Sequence, residues 1–267
     1  MRVLLRSTCG TYSRPPPIFR VSPVSIFPIS SDILTIMGSN MELNADFSTR
    51  VAVHASRIAW TPSPMSGVDR RMLDRLGAEV ARATSIVRYA PDSEFSPHTH
   101  GGGEEFLVLE GVFSDEYGDF PAGYYIRNPP TSRHTPHSKP GCVIFVKLWQ
   151  FEPTDRTHVC VDTSKLAFLA VPDRADTEIM PLFRNDTEDV RLERWKPGAT
   201  ITLPVPGGAE LLVLNGAFAE NNEQFEAQSW LRLPRAAILN AKVGPDGCDV
   251  WVKTDHLRYP VTMPSSA

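Results

Sequence analysis

An internal repeat constrains the fold of this chain more than any other feature. Three segments recur about 105 residues further along the sequence. They are EFLVLEGVFSDE at 105–116 and ELLVLNGAFAEN at 210–221, YIRNPP at 125–130 and WLRLPR at 230–235, and GCVIFVK at 141–147 and GCDVWVK at 247–253. A fixed offset of this size indicates two copies of one structural unit. Because the copies are short apolar runs in a chain with 24 prolines and 17 glycines, an all-β fold is predicted.

The first copy contains two histidines and a carboxylate within PHTHGGGEEFLVLEG, residues 97–111. His98 and His100 are two positions apart, so in a strand their side chains point to the same face. Three glycines then allow a tight turn before Glu104 begins an apolar run. Four of the seven histidines lie between positions 98 and 137, and His134 is the best candidate for a further ligand. The pattern predicts a site for one divalent metal ion.

The corresponding positions of the second copy are apolar. At the offset of the repeat, His98, His100, Glu104 and His134 become Leu203, Val205, Ala209 and Leu239. Structural histidines are not expected to disappear as a set, whereas a group of metal ligands is costly to keep buried once its metal is lost. The repeat therefore predicts one metal-binding unit and one unit filled with apolar side chains.

The residues of the first copy resemble the cupin family. HTHGGGE followed by Gly111 is similar to the first cupin motif, and the spacing of Gly123, Pro129 and His134 is similar to the second. Thr131 stands where the second motif usually has glycine. Longer stretches such as RRMLDR and GCVIFVKLWQF are similar to the cupin domain of ChrR-type anti-sigma factors. The resemblance implies two tandem double-stranded β-helix (jelly-roll) barrels, with the metal in the mouth of the first.

The resemblance also implies a ligand set and a choice of metals. Glu105 is the alternative to Glu104 as the carboxylate ligand, but strand alternation and the distance to Gly111 favour Glu104. His137 is expected to lie beside the site or on the surface. Iron or zinc is expected, and manganese and nickel also suit such ligands. The implied ligands are His98, His100, Glu104 and His134.

The function implied by the resemblance is a mononuclear metal-dependent oxidoreductase of the dioxygenase type, acting on a small organic ketone or phenolic substrate. A zinc-dependent regulatory cupin related to anti-sigma factors is the alternative, and a scaffold or storage cupin is a third. ChrR proteins bind their sigma factor through a separate zinc domain with a CxxC pattern, and the four cysteines here have no such spacing. A sigma factor is therefore not an expected partner. The expected pocket residues are Phe106, Val108, Tyr125, Arg127 and Phe145.

The sequence divides into three predicted parts: an extension at 1–45, a metal-binding cupin domain at 46–155 and a degenerate second cupin domain at 156–267. The first 40 residues carry four arginines, seven serines and one acid, which is typical of a transit peptide. A disordered extension, or a true start at Met37 or Met41, would also explain them and is favoured over genuine targeting. We expect a cytoplasmic protein, or an organellar one if the targeting segment is genuine.

The composition and charge limit the classes of partner that the chain is expected to bind. The net charge of −4 and the pI of about 6.0 give no basic field for nucleic acid or an anionic membrane. The apolar run at 26–36 is interrupted by polar residues and is too short to span a bilayer. A small-molecule ligand or substrate is expected, and a homo-oligomer is compatible with the sequence.

One segment, residues 68–81, leaves its secondary structure open. Met72, Leu73, Leu76 and Val80 share a helical face, but Gly77 weakens a helix, so a strand and turn is the alternative.

Overall fold

A computed structural model describes residues 41–78, 80–259 and 261 as two packed β-barrels. In these ranges no helix could cross a membrane. The strands are β1 (Glu42–Leu43), β2 (Val51–His54), β3 (Thr61–Pro62), β4 (Val68–Leu76), β5 (Arg82–Tyr89), β6 (Ser93–Glu94), β7 (His98–Thr99), β8 (Glu104–Asp115), β9 (Gly118–Pro121), β10 (Tyr124–Asn128), β11 (Arg133–His134), β12 (His137–Ser138), β13 (Cys142–Leu148), β14 (Val159–Asp162), β15 (Leu169–Val171), β16 (Arg174–Arg184), β17 (Asp189–Trp195), β18 (Thr200–Val205), β19 (Ala209–Glu220), β20 (Glu223–Glu226), β21 (Ser229–Leu233) and β22 (Ala237–Thr254), with 3₁₀ turns at Ala55–Arg57 and Thr163–Lys165.

The two barrels are built around large antiparallel sheets with corresponding strand orders. The first sheet runs β1-β4-β5-β13-β8-β10-β14, and the second runs β15-β16-β17-β22-β19-β21-β2. In the first barrel the short strands β7 and β11 form a separate two-stranded sheet. The prediction of an all-β chain with tandem jelly-roll barrels is confirmed.

The barrels exchange strands. β2 precedes the first barrel in sequence but pairs with β21 of the second, placing Val51 opposite Arg232. β14 follows the predicted boundary at 155 but pairs with β10 of the first, placing Val159 opposite Arg127. Each sheet is therefore completed by a strand from beyond its own repeat, which ties the barrels together.

The repeat is reproduced in backbone detail at one turn in each copy. Gly111 and Gly216 both have φ of +70° and lie opposite Cys142 and Cys248 on the neighbouring strand. A Cβ at either glycine would collide with the carbonyl oxygen of the glycine preceding that cysteine. Glycine is required at both positions by the left-handed backbone and by this close approach.

Strand alternation sorts the apolar side chains into three cores. Phe106 and Val108 of β8 point into the first barrel, whereas Leu107 between them packs in a layer shared by both barrels. In the second barrel Leu211 packs inside and Leu212 joins the shared layer. Each large sheet therefore has one face towards its own barrel and one towards the other barrel.

Two buried ion pairs cross the shared layer reciprocally. Glu105 of the first copy binds Lys253 of the second at 2.5 Å, and Lys147 of the first binds Glu210 of the second at 2.5 Å. All four side chains are at most 1% exposed. The pairs are related by the repeat, since Glu105 corresponds to Glu210 and Lys147 to Lys253.

Arg127 and Arg232 are also equivalent in the repeat, and each forms at least one buried ion pair with an acidic residue. Arg127 forms ion pairs of 2.7 Å with both Glu188 and Asp155. Arg232 contacts Asp74 at 3.1 Å. Both guanidinium groups are at most 2% exposed, so these contacts hold structural elements together rather than facing solvent.

Residues 68–76 form β4, and the helical alternative is wrong. This strand pairs with β1, β3 and β5, with an irregularity between Met72 and Asp74. Pairing on both sides overrides the weak helical pattern, and Leu73 is fully buried in the shared layer. Of the predicted extension at 1–45, residues 1–40 lie outside the described ranges, and Glu42–Leu43 pair with β4.

Candidate metal centre

Three histidines converge at the mouth of the first barrel. His98 on β7 lies directly opposite His134 on β11, and His100 follows at the end of β7. Their ring centroids are 4.7–5.0 Å apart, and the rings are inclined by 67–78°. One nitrogen from each ring lies within 4.8 Å of the others. Three ring nitrogens this close together could bind one metal ion.

Glu104 lies beside the histidines and supplies a carboxylate. Its Oε2 atom is 3.5 Å from Nε2 of His100 and 3.6 Å from Nε2 of His134. Both distances are too long for good hydrogen bonds. The two Nε2 atoms are buried without a hydrogen-bond partner. Because buried polar atoms are nearly always satisfied, these two unpaired nitrogens fit a bound cation.

Supporting residues orient two of these side chains. Nδ1 of His134 is 3.1 Å from Oδ2 of Asp115, so an Nδ1–H donated to this carboxylate leaves Nε2 free to face the cluster. Asp115 is itself fixed by accepting the backbone N–H of Tyr117 at 2.8 Å. Asn128 donates to Oε2 of Glu104 at 3.2 Å. Such contacts typically fix the orientation of metal ligands.

Burial and neighbouring charge oppose each other at these groups. Burial disfavours ionisation of Glu104, but the imidazoles of His100 and His134 hold its pKa below the usual value. Burial lowers the pKa of His100. Burial also acts to lower the pKa of His134, yet the hydrogen bond to Asp115 raises it above the usual value. The site therefore presents an ionised carboxylate to a cation.

The three glycines between His100 and Glu104 accommodate an aromatic clamp. The indole of Trp149 occupies the space that a Cβ at Gly101 or Gly102 would need, and the ring of Phe151 does so at Gly103. The backbone N–H of Trp149 donates to the carbonyl of Gly103 at 3.1 Å. Close approach, and not only turning freedom, explains the glycine triplet.

We expect Gly102→Ala to displace Trp149 and loosen the histidine cluster. The added methyl collides with the indole ring, and overpacking of this kind costs about 1–3 kcal/mol. Differential scanning fluorimetry of the two proteins would measure the loss. Gly244→Ala is the control, because its added Cβ would approach the backbone oxygen of Ala217 to 3.2 Å, a much milder contact than the 2.3 Å approach to Trp149 at Gly102. Equal effects of the two substitutions would argue against the clamp.

We expect Asp115→Asn to weaken metal binding by roughly 10- to 100-fold. The amide keeps the shape of the side chain but removes the charge that holds the Nδ1–H of His134. Competition with a chromophoric chelator would give the affinity. Asp119→Asn on the same hairpin is the control, since Asp119 accepts a hydrogen bond from Ser114 and, among the described residues, forms no ion pair with a histidine. An unchanged affinity in Asp115→Asn would contradict this role.

The second barrel shows the same positions without the polar groups. Leu203 lies opposite Leu239 on β18 and β22, as His98 lies opposite His134. Val205, Ala209 and Leu239 are at most 1% exposed and belong to the core of that barrel, with Leu203 packed against it. Apolar packing has replaced the cluster.

The expected pocket residues separate into two groups. Phe106 and Val108 lie inside the first barrel, and Phe106 packs on Phe113, whose ring is 5.8 Å from that of His134. Tyr125, Arg127 and Phe145 lie elsewhere. Tyr125 and Phe145 pack in the shared layer, and Arg127 pairs with acids, because odd positions of β10 and β13 face away from the barrel interior. The expectation that these three line the mouth is corrected accordingly.

Three further residues are placed clearly by the structure. Glu105 points away from the cluster and accepts a hydrogen bond from Tyr125 at 2.8 Å, so it is not beside the histidines. His137 lies on β12, paired with β6, and lines a groove outside the barrel. Asn128 was not among the predicted site residues. Its equivalent in the second copy is Leu233, so this position changes from polar to apolar as the four ligand positions do. The rule that identified the four ligand positions would have identified it too.

Comparison with known families supports the cupin resemblance of the first barrel. Residues 48–152 match the family described as ChrR cupin-like domain. All four predicted ligand positions fall within this span. Comparison with curated proteins found no match.

Solved structures share the fold across both barrels at low sequence identity. A provisionally assigned dioxygenase from Nostoc punctiforme has a TM-score of 0.66 and 15% identity, covering 82% of this chain and 87% of that chain. YlbA from E. coli has a TM-score of 0.62 and 14% identity, covering 85% and 99%. The E. coli pirin YhhW, in complex with nickel(II), has a TM-score of 0.57 and 13% identity, covering 77% and 98%. At such identities the likeness concerns the fold alone.

Proposed function

Because residues 48–152 form a ChrR cupin-like domain, we propose that this chain is a mononuclear metal-dependent oxidoreductase of the dioxygenase type. Its substrate would be a small organic ketone or phenol. The observation that carries the proposal is the convergence of three imidazoles and one carboxylate, with two buried Nε2 atoms unpaired. His98, His100, Glu104 and His134 would hold the metal.

The cluster is exposed on one side and buried on the other. His98 is exposed, whereas His100 and His134 are 6% and 2% exposed. A substrate would approach from the side of His98. Behind the ligands, Phe106 and Phe113 form an apolar wall that excludes water from that side. An accessible face with a dry back wall suits a reaction on a metal-bound small molecule.

The protein groups have defined roles in this proposal. A bound metal would supply Lewis-acid polarisation of a substrate oxygen and, if redox-active, electron transfer. The three histidines fix the geometry, and Asp115 holds the proton on Nδ1 of His134. Glu104 either completes the ligand set or accepts a substrate proton at Oε2, for which its lowered pKa provides the ionised form.

The ligand atoms limit the choice of metal but do not select a single one. Three nitrogens and one oxygen suit iron, zinc, manganese or nickel. The pirin in the comparison contains nickel. We propose iron for the oxidoreductase, because dioxygen chemistry needs a redox-active metal, which zinc is not.

A zinc-dependent regulatory cupin is the second candidate. The observation that favours it is the match of residues 48–152 to the family described as ChrR cupin-like domain. Four protein ligands around zinc would form a closed site that senses rather than catalyses. The first barrel would then respond to zinc or a ligand and act on a protein partner.

Oxygen consumption distinguishes the two candidates. Iron-loaded protein is expected to consume dioxygen with acetylacetone or a hydroxyacetophenone, measured with an oxygen electrode, and His134→Ala is expected to lose this activity. His137→Ala, outside the cluster, is the control. Tightly bound zinc with no oxygen consumption in the iron-loaded form would favour the regulatory candidate.

A further inference from the structure

A polar cavity lies between the barrels, and none of the four predicted metal ligands lines it, although Trp149 and Phe151 of the clamp do. Its volume is about 190 Å³, which suits a molecule of a few heavy atoms. Residues of both repeats line it, including Arg82 and Gln150 of the first and Glu188 and His256 of the second. Four of its side chains, those of Arg82, Arg127, Gln150 and His256, have a buried polar atom without a partner.

Arg82 is the first of these. Its residue is 6% exposed, and Nη1 is buried without a hydrogen-bond partner. Among the described residues, no carboxylate lies within ion-pair distance of it, and its guanidinium packs 4.6 Å from the ring of Phe47. Arginine is rarely buried unless paired. A hydrogen-bond acceptor is therefore missing beside Nη1, although the carboxylates of Asp74 and Glu210 act on the charge of Arg82 from further away.

His256 is the second. Its Nε2 atom is 2.9 Å from a carboxylate oxygen of Glu210, so Nε2 carries the proton and Nδ1 is a bare acceptor. Burial lowers the pKa of His256 to about 4, although Glu210 opposes this, so the ring is neutral near pH 7. Nδ1 is buried without a partner. It requires a donor.

Gln150 is the third. Its amide nitrogen donates to the carbonyl oxygen of Ala83 at 3.0 Å and to the hydroxyl of Thr84 at 3.2 Å. These two contacts fix the orientation of the amide and leave Oε1 as an acceptor. Oε1 is buried without a partner. It also requires a donor.

The other charged groups of the cavity wall are already balanced or exposed. Arg127 is paired with Glu188 and Asp155. Asp255 is paired with Arg258 at 2.9 Å, and Glu152 is exposed. Nε of Arg127 is nevertheless buried without a partner, so this wall holds two unmatched guanidinium N–H groups, one on Arg82 and one on Arg127.

We propose that this cavity binds a small hydroxylated carboxylate. The carboxylate would accept from Nη1 of Arg82, and the hydroxyl would donate to Nδ1 of His256 or Oε1 of Gln150. A simple carboxylate would leave both acceptors unmatched, and a neutral alcohol would offer one oxygen to the two guanidinium N–H groups of Arg82 and Arg127. The charge and the donor together select this ligand class.

Isothermal titration of the full chain with glycolate tests the proposal. Saturable binding is expected, and acetate is expected to bind roughly tenfold more weakly because it lacks the hydroxyl. Arg82→Met is expected to weaken glycolate binding by at least roughly tenfold. Arg88→Met on the same strand is the control, because Arg88 is 46% exposed and paired with Asp69.

Two further variants locate the ligand. Gln150→Leu is expected to reduce the preference for glycolate over acetate, and it provides a second test if Arg82→Met does not fold. His98→Ala is expected to bind glycolate like the wild type, so failure of the proposed metal site would leave this result unaffected. Absence of saturable binding, which would mean that water alone satisfies these atoms, would overturn the proposal. So would loss of binding in His98→Ala but not in Arg82→Met.

Discussion

Glu210→Gln is expected to lower the free energy of unfolding by about 3–5 kcal/mol, because it leaves the buried ammonium of Lys147 without its counter-charge. Glu210 is fully buried and contacts Lys147 at 2.5 Å, Trp230 Nε1 at 3.2 Å and His256 Nε2 at 2.9 Å. Although burial alone would raise the pKa of Glu210, the Lys147 charge holds it well below its usual value. Chemical denaturation at pH 7 would measure the loss.

Two comparisons test the cause of that effect. Asp249→Asn removes half of the exposed pair with Arg194 and is expected to cost at most about 1 kcal/mol. The double variant Glu210→Leu with Lys147→Met is expected to be more stable than either single variant, because it leaves neither charge of the pair unpaired. A Glu210→Gln variant as stable as the Asp249→Asn control would show that the ion pair does not join the barrels energetically.

His100→Ala is expected to lower metal affinity by at least about 100-fold, more than loss of a supporting residue would. His100 is 6% exposed and its Nε2 has no protein partner, so the substitution removes a ligand without breaking a hydrogen bond. The wild type should gain about 2.7 kcal/mol of stability when free metal reaches 100 times Kd, and the variant should gain almost none. Thermal denaturation at graded metal concentrations would measure this difference.

His137→Ala is the matched control for His100→Ala. It replaces a histidine of the same barrel that lies on β12, outside the cluster. It should keep the full metal-dependent stabilisation of the wild type. Equal stabilisation of His100→Ala and the wild type would contradict the assignment of His100 as a ligand.

The repeat in the sequence predicted more of the fold and site than any local pattern. Positions that change from polar to apolar between copies, such as Glu104 to Ala209 and Asn128 to Leu233, lie at the histidine cluster. Three positions of the repeated segments that keep the same charged residue lie between the barrels, because both copies contribute to that layer. These are Glu105 and Glu210, Lys147 and Lys253, and Arg127 and Arg232.

Other features were beyond the sequence for physical reasons. Which barrel receives β2 and β14 depends on packing between the copies, because an alternating strand such as Val51–His54 fits either sheet edge. Tyr125 and Phe145 were assigned to the wrong face. Successive residues of a strand point to opposite faces, so an error of one residue reverses the predicted direction of a side chain. The clamp of Trp149 on the glycine turn joins residues far apart in sequence, and no local pattern indicates it.

The metal content of protein purified from its own host tests the central claim most directly. Elemental analysis by mass spectrometry of the wild type and of His134→Ala would be compared after identical purification. The four converging side chains predict one divalent transition metal per chain in the wild type and its loss in the variant. A wild-type chain that holds no metal, or a His134→Ala chain that retains the full amount, would contradict the assignment.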